Sequence, residues 1–510
     1  MSKLMPKWKE TDKKDVFFFV AFVFVVIAVF CLLNGGNASG NDGFWHMKMG
    51  RWIFNNLSIP HFAVGAWGGE DLYWLPQEWL YEVFLYGVCR NNMTIAWFLT
   101  MFIVAVGFIM IGVLTKLYKD IFSKPVGLVV FGYCFLFCML SSVAPRPQTV
   151  SIFLLAIFVY LFRSVVLTGE VNKRKYVIFF VLSVLWSNLH AGSAVLGYLI
   201  PLGVVVCYYI GLYLLKFDFL SIPFDMSVGK NALQRATWVC VVMLIGNFCT
   251  PHGIAGFLYP FMSMSDSLML NVISEWRQPV VHDMVSLCVF YFPFLAFILW
   301  LLFKKVKNIV FYDVLIISCC ALLTLLHIRM DTYMFVVMAL LIVPYCPSIS
   351  FKTGYKTVSV LLSVLFIFVS CIGIVWSASR VTFASEGLCN TEFFDVVKDQ
   401  SGDRLYNYYD IGSILEYYDI PVWIDARYDP FSEERMPDFV DLYSSDSQSS
   451  GFDDVMSKYD FTSLLDRRGS SILYWAEDHG YRKVAEWDTG TTYTNKYGEV
   501  FPCVYEFWIK

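Results

Sequence analysis

The sequence predicts an α-helical polytopic membrane protein with about eleven transmembrane helices and a small extracytoplasmic α/β domain at the C-terminus. Three observations carry that prediction. The 510 residues are 57% hydrophobic and 16% charged, against about 45–50% apolar and about 25% charged in soluble domains. Apolar stretches long enough to cross a bilayer recur along residues 16–377. Lys and Arg collect in alternate loops, as the positive-inside rule requires. The net charge of -4 gives no nucleic-acid signal, and no Walker loop or zinc-type CxxC pair is present.

The apolar stretches lie near 16–33, 93–115, 125–141, 148–167, 176–190, 192–215, 236–250, 284–303, 309–326, 331–346 and 357–377. Two boundaries are decided by charge. With the N-terminus inside, the inner loops carry Lys116, Lys119 and Lys124; Arg163, Lys173, Arg174 and Lys175; Lys216, Lys230 and Arg235; Lys304, Lys305 and Lys307; and Lys352 and Lys356. With Lys3, Lys7, Lys9, Lys13 and Lys14 of the N-terminus, that gives about twenty basic residues inside against about six outside. Merging 176–190 with 192–215, or 309–326 with 331–346, reverses every later loop and destroys the bias. The first span is followed by small residues, "NASG", as a cleavable signal would be, but its apolar core is long, and it reads as an uncleaved anchor. The expected location is the plasma membrane, with the N-terminus cytoplasmic and a multi-pass domain over 1–377 that includes a first outer loop at 34–92.

After residue 378 the composition turns polar and rich in Asp and Tyr. "RLYNYY", "VWIDA", "FTSLLD", "YRKVAEW" and "CVYEFWI" read as strands, and "SILEYY" and "SSILYWAEDHG" as helices. This is the expected α/β domain, 378–510, facing outward. Cys31, Cys134, Cys138, Cys207, Cys240, Cys319 and Cys320 fall in apolar runs and read as small hydrophobes. Cys389 and Cys503 lie in the polar part, where an oxidising compartment permits a disulfide.

The uncommon polar residues gather at outer span ends. They are Asp42 and His46 in "NDGFWHMKMGRW", Arg146 in "APRPQ", His190 in "NLHAG", His252 in "TPHG", Glu275 and Arg277 in "ISEWRQP", and Arg329 and Asp331 in "HIRMD". Ionisable groups at membrane depth are costly and point to function. Each has a plainer alternative. Asp42 suits an N-cap of the amphipathic stretch after it. His46, one turn later, suits a satisfied interfacial residue, and Arg146 suits a headgroup-seeking side chain. Arg329 with Asp331 suits a structural pair, and His190 a bond to a neighbouring helix. Taken together on one side, they favour a polar cavity at the outer leaflet. Arg146, Arg277 and Arg329 offer planar forks suited to phosphate. Trp45, Trp52, Trp67, Tyr73, Trp74 and Trp79 in the first outer loop suit either sugar stacking or interfacial packing. In the tail, Asp410, Asp425 and Arg427 fall toward one end of the predicted sheet, a common binding place; fixing loops is the nearly equal alternative.

"DGFWHMKMGRWIFNNLSIP", "PQEWLYEVFLY", "APRPQTVSIFLL", "LWSNLHAGSAVLG", "ISEWRQP" and "YNYYDIGSILEYYDIPVWIDARYD", in that order, resemble bacterial multi-pass proteins of the GT-C glycosyltransferase architecture. The resemblance implies an integral-membrane glycosyltransferase that takes a sugar from a polyprenyl-phosphate carrier and passes it to a glycan, lipid or protein acceptor at the extracytoplasmic face. It assigns the catalytic acid position of the first outer loop to Asp42, as general base. "YYDIG", Tyr408 to Gly412, and "VISEW", around Glu275, are similar to motifs that the oligosaccharyltransferase catalytic subunit carries in its outer domain and in an outer loop. That family pairs two aspartates around a metal in its first loop, whereas "NDGFWH" has one and "SSVAPRPQ" has no carboxylate. No cofactor is therefore expected, the divalent-metal site at this position being incomplete. An O-antigen ligase or polymerase and a lipid or glycan transporter are the rival readings. The first would carry a large late outer loop, the second mid-span charges and repeat symmetry.

Overall fold

The computed structural model describes residues 10–34, 41–119, 124–214, 228–266, 268, 270, 273–276, 278–279, 291–303, 309–347, 391–444, 450–494 and 500–510. Arg277, Cys389 and the expected span 357–377 lie outside them. The chain divides into two compact units: Met1–Gly36, Leu99–Val143 and Pro147–Ala378 make one, and Asn37–Phe98, Ala144–Arg146 and Ser379–Lys510 the other. The first outer loop thus belongs to the same unit as the C-terminal segment.

The helices in chain order are α1 (Glu10–Asn34), α2 (Asp42–Asn56), α3 (Trp79–Cys89), α4 (Met93–Leu114), α5 (Pro125–Ser142), α6 (Gln148–Thr168), α7 (Lys173–Leu189), α8 (Ala191–Ala194), α9 (Leu196–Leu214), α10 (Lys230–Asn247), α11 (Gly253–Ser265), α12 (Phe292–Phe303), α13 (Phe311–Leu326) and α14 (Asp331–Leu341). Among the described residues, five helical stretches are long and apolar enough to cross a membrane: Met93–Leu114, Pro125–Ser142, Gln148–Thr168, Ala191–Tyr213 and Ile328–Tyr345. Asp15–Cys31 and Phe311–Leu326 are apolar but shorter.

Local chemistry sets the ends of these helices. Pro125 opens α5 at a position where its missing N–H costs nothing. Gly169 closes α6 in the left-handed region at φ 66°, where a side chain would be strained. The Asn172 side chain accepts from the Lys175 N–H and caps α7. α14 has no polar stripe, and every residue from Asp331 to Leu341 is buried, against α5, α6 and α13; a helix apolar all round belongs in a core. Where α6 and α13 meet, Arg163 forks onto Asp313 at 2.6 and 2.7 Å, and Tyr345 donates to the same carboxylate at 2.6 Å.

The second unit continues with α15 (Thr391–Gln400), β1 (Leu405–Asn407), α16 (Tyr409–Tyr417), α17 (Arg435–Ser444), α18 (Ser450–Tyr459), β2 (Ser463–Arg467), α19 (Ser471–Asp478), β3 (Arg482–Thr494) and β4 (Val500–Ile509). The sheet order is β1-β2-β4-β3, with β1 parallel to β2 and the other pairs antiparallel. Its core gathers Phe393, Phe394, Leu405, Leu415, Leu465 and Phe507, and Phe44 of α2 joins them.

One expected strand is absent. "VWIDA" is irregular backbone, with a single bridge from Val422 to Ala66. Val422 N–H donates to Gly65 carbonyl at 3.0 Å and Trp67 N–H to Val422 carbonyl at 3.0 Å. The segment is apolar and β-branched because it is buried under the first loop, so its partner lies far away in sequence.

Candidate functional site

The start of α2 carries Asp42. Its N-cap is Asn41, whose amide donates instead to the Asp410 carbonyl at 2.6 Å. Asp42 occupies the first helical turn, and its Oδ2 meets Arg146 Nε at 2.9 Å, each side chain about one-fifth exposed. The carboxylate is therefore held by a guanidinium and remains within reach of solvent. Gly43 permits the close approach: a Cβ there would lie 3.0 Å from Pro145 Cβ.

Asp410 opens α16 in the same unit. Burial is the main force raising its carboxyl above the ordinary range; Arg467 opposes that shift and Asp42 adds to it. Tyr409 is pushed up by burial and then by Asp42, Asp425, Asp410 and Asp429. Asp42, Tyr409 and Asp410 thus share one electrostatic neighbourhood. The Arg467 guanidinium lies 3.9 Å above the Tyr408 ring.

His46 lies one turn along α2 and is 2% exposed. Its Nε2 is 3.6 Å from Glu78 Oε2 and its Nδ1 is 3.5 Å from Glu82 Oε1. α2 and α3 approach closely because Gly50 has no side chain; a Cβ there would stand 2.0 Å from the Glu82 carbonyl. Burial, followed by the neighbouring Glu78, holds the Glu82 carboxyl well above the carboxylate range.

Asp425 and Arg427 are buried and bound to each other. Arg427 Nε donates to Asp425 Oδ1 and Oδ2 at 3.0 and 3.1 Å, and its Nη2 donates to the Val64 carbonyl at 2.7 Å and to Glu416. Its guanidinium also sits 4.9 Å over Trp74 and 6.0 Å over Trp45. These two loop tryptophans are 3% and 8% exposed: their faces are spent on packing, while Tyr73 is outward. Arg435 adds a second tie, donating to the carbonyls of Trp423 and Trp67, each at 2.8 Å.

The other predicted residues belong to the membrane-helix unit. Arg329 Nη1 lies 3.5 Å from Glu275 Oε2, and its guanidinium 5.5 Å over Trp276. His327 Nδ1 contacts the Trp276 carbonyl oxygen at 2.7 Å. Asp331 does not pair with Arg329 among the described contacts; it accepts from Ser141 at 2.6 Å. The Gln148 amide donates to the Arg329 carbonyl at 3.1 Å and to Thr332 at 3.0 Å. His190 Nδ1 is 2.8 Å from Ser151 Oγ and 2.9 Å from Ser193 Oγ, all buried, the interhelical bond that its plainer alternative describes. His252 precedes α11.

Sequence reasoning missed Glu78, Glu82 and Glu416. The spacing of Glu78 and Glu82 was the available signal: four apart, on one face of "PQEWLYEVFLY". Glu416 gave none.

No protein-family model matches the chain, and no curated protein matches it in sequence. Solved structures do. The crystal structure of the Archaeoglobus fulgidus oligosaccharyltransferase in the apo form is 10% identical, with a TM-score of 0.51 covering 87% of this chain and 69% of that one. The archaeal oligosaccharyltransferase from Archaeoglobus fulgidus in complex with an inhibitory peptide and a dolichol-phosphate is 11% identical, at 0.51 over 94% and 74%. The same oligosaccharyltransferase tethered to an acceptor peptide is 11% identical, at 0.50 over 94% and 73%. At such identities the likeness is one of fold alone.

Proposed function

We propose that the chain is an integral-membrane glycosyltransferase that moves a sugar from a polyprenyl-phosphate carrier to an acceptor hydroxyl at the extracytoplasmic face. In this reading it spans the membrane eleven times with its N-terminus inside. The observation that carries the reading is the Asp42–Arg146 ion pair at the start of α2, in a chain whose fold is like that of an oligosaccharyltransferase. The dolichol-phosphate and acceptor peptide bound by the archaeal protein favour a lipid-phosphate donor and a separate acceptor here.

The acceptor oxygen attacks the anomeric carbon, and the bond from that carbon to the phosphate oxygen breaks. The acceptor proton goes to the Asp42 carboxylate, and the polyprenyl phosphate leaves with the bonding electron pair. A carboxylate is a weak base for an alcohol, so proton removal accompanies the loss of the leaving group. Arg146 offers its fork to the departing phosphate, which also loosens its hold on Asp42. Within the membrane-helix unit, Arg329 and its partner Glu275, together with Arg277, His190, His252 and Asp331, are proposed as substrate-binding residues in their own right. Asp410 faces the acceptor side, and Asp425 and Arg427 hold its segment in place.

The test uses purified protein in nanodiscs with a panel of radiolabelled polyprenyl-phosphate sugars and extracted envelope acceptors. Transfer is expected with wild type and lost at least about 100-fold in Asp42→Asn. Undiminished transfer by Asp42→Asn sinks the assignment.

A further inference from the structure

The geometry points to a divalent-cation site of the zinc class inside the first loop, built by His46, Glu78 and Glu82 and joining α2 to α3. One ligand atom from each residue lies within 4.8 Å of the others. The two closest approaches, 3.6 and 3.5 Å, resemble the roughly 3.3–3.6 Å that separates ligands placed about 2.0–2.2 Å around a tetrahedral zinc. They engage opposite ring nitrogens. A bound ion selects one of these, and the farther carboxylate swings onto it.

The chemistry of the cluster supports a cation. All three side chains are buried, Glu82 completely, and neither Glu82 oxygen accepts a hydrogen bond among the described residues. A buried carboxylate without such bonds is costly. The neighbouring Arg427 offsets part of that cost by its charge, while its donors go to Asp425 and Glu416. An imidazole with two carboxylates suits Zn2+ or Mn2+ better than Mg2+, and three protein ligands leave one position for water. The site is separate from the Asp42 position and does not depend on the transfer reaction. Its effect on the loop is to fix α2, on which Asp42 lies one turn before His46.

The test takes full-length protein in detergent, with its affinity tag removed, stripped by chelator, incubated with Zn2+ and dialysed. Mass spectrometry of the metal is expected to find about one Zn2+ per chain, and Zn2+ to raise the thermal midpoint by about 4 °C or more. Glu82→Gln keeps the size of the buried side chain and stands in for its neutral form, so it folds even if the ion is lost. It and His46→Ala are expected to weaken Zn2+ binding at least about tenfold and to abolish the thermal shift. Co2+ in place of Zn2+ gives visible absorption bands in wild type that vanish in Glu82→Gln. Asp42→Asn retains the ion, so its loss of transfer leaves the metal site standing. Wild type that keeps neither Zn2+ nor Mn2+ and shows no thermal shift overturns the proposal. So does full Zn2+ occupancy in the His46→Ala, Glu82→Gln double variant.

Discussion

Arg146 Nε stands 2.9 Å from Asp42 Oδ2, so the carboxylate at the head of α2 is tied to a guanidinium from the Ala144–Arg146 segment of the same unit. A side chain that sequence alone leaves open between helix cap and catalyst is spent on this pair. Its position, rather than its charge alone, is then the property to test.

Under the proposed function, Arg146→Ala raises the KM for a polyprenyl-phosphate sugar at least about tenfold and also lowers kcat, because the leaving phosphate loses its fork. Arg146→Lys restores charge without the planar fork and recovers only part of the loss. Steady-state kinetics against donor concentration separates the two effects. A KM unchanged in Arg146→Ala removes Arg146 from the phosphate.

Arg427→Met leaves Asp425 and Glu416 buried without their cation, and breaks the bond to the Val64 carbonyl. Removing one partner of such a network costs about 3–5 kcal/mol. A large drop in thermal midpoint and rapid chymotrypsin cleavage at Phe62 and Trp67 are expected. Arg427→Lys keeps the charge but not the several donors, and is expected to fall in between. The wild-type midpoint in Arg427→Met would mean that the network contributes nothing.

Gly412 allows α16 to lie against the backbone after Trp423: a Cβ there would be 2.2 Å from the Ile424 carbonyl oxygen. Backbone cannot give way as a side-chain tip can, so Gly412→Ala is expected to destabilise the unit by about 1–3 kcal/mol or more. Gly203, around which nothing lies within 4 Å, is the matched control, expected to tolerate alanine. Fluorescence-detected thermal unfolding of the two variants side by side makes the comparison.

Asp466 on β2 accepts from the Tyr406 hydroxyl at 3.2 Å, and burial pushes its carboxyl up to about 6 despite the Arg467 N–H. A folded value above the ordinary 3.8 favours the protonated form. Its contribution to stability is therefore complete below about pH 4 and is lost as the pH rises through about 6. Asp466→Asn has no such loss. Its stability relative to wild type should grow by about 3 kcal/mol between pH 4 and pH 7. Parallel pH profiles of the two thermal midpoints refute this.

The apolar helices were the most legible part of the fold. The expected stretches 93–115 and 148–167 meet helices at Met93–Leu114 and Gln148–Thr168, since length and apolarity are set by the bilayer and Pro147 and Gly169 punctuate the second. The outer unit was harder. "SILEYY" covers the second half of the α16 helix Tyr409–Tyr417 and its C-cap Tyr418, whereas the strand-like "VWIDA" owes its character to burial against residues far earlier in the chain. Asp42, His46 and Arg146 could be singled out because each is unusual where it stands. Glu78, Glu82 and Glu416 look ordinary on helices until their partners are known, and such partners are long-range.

The unit that holds Asp42 is assembled from three pieces, Asn37–Phe98, Ala144–Arg146 and Ser379–Lys510. During synthesis the first piece emerges long before the last, and Phe44, Trp45 and Trp74 have none of their later cover from Phe394, Leu415 or Arg427. The nascent loop must wait with greasy surface bare, a state that invites chaperones and proteases. Chains that stop short of residue 379 are then expected to be degraded rather than to accumulate as a truncated enzyme.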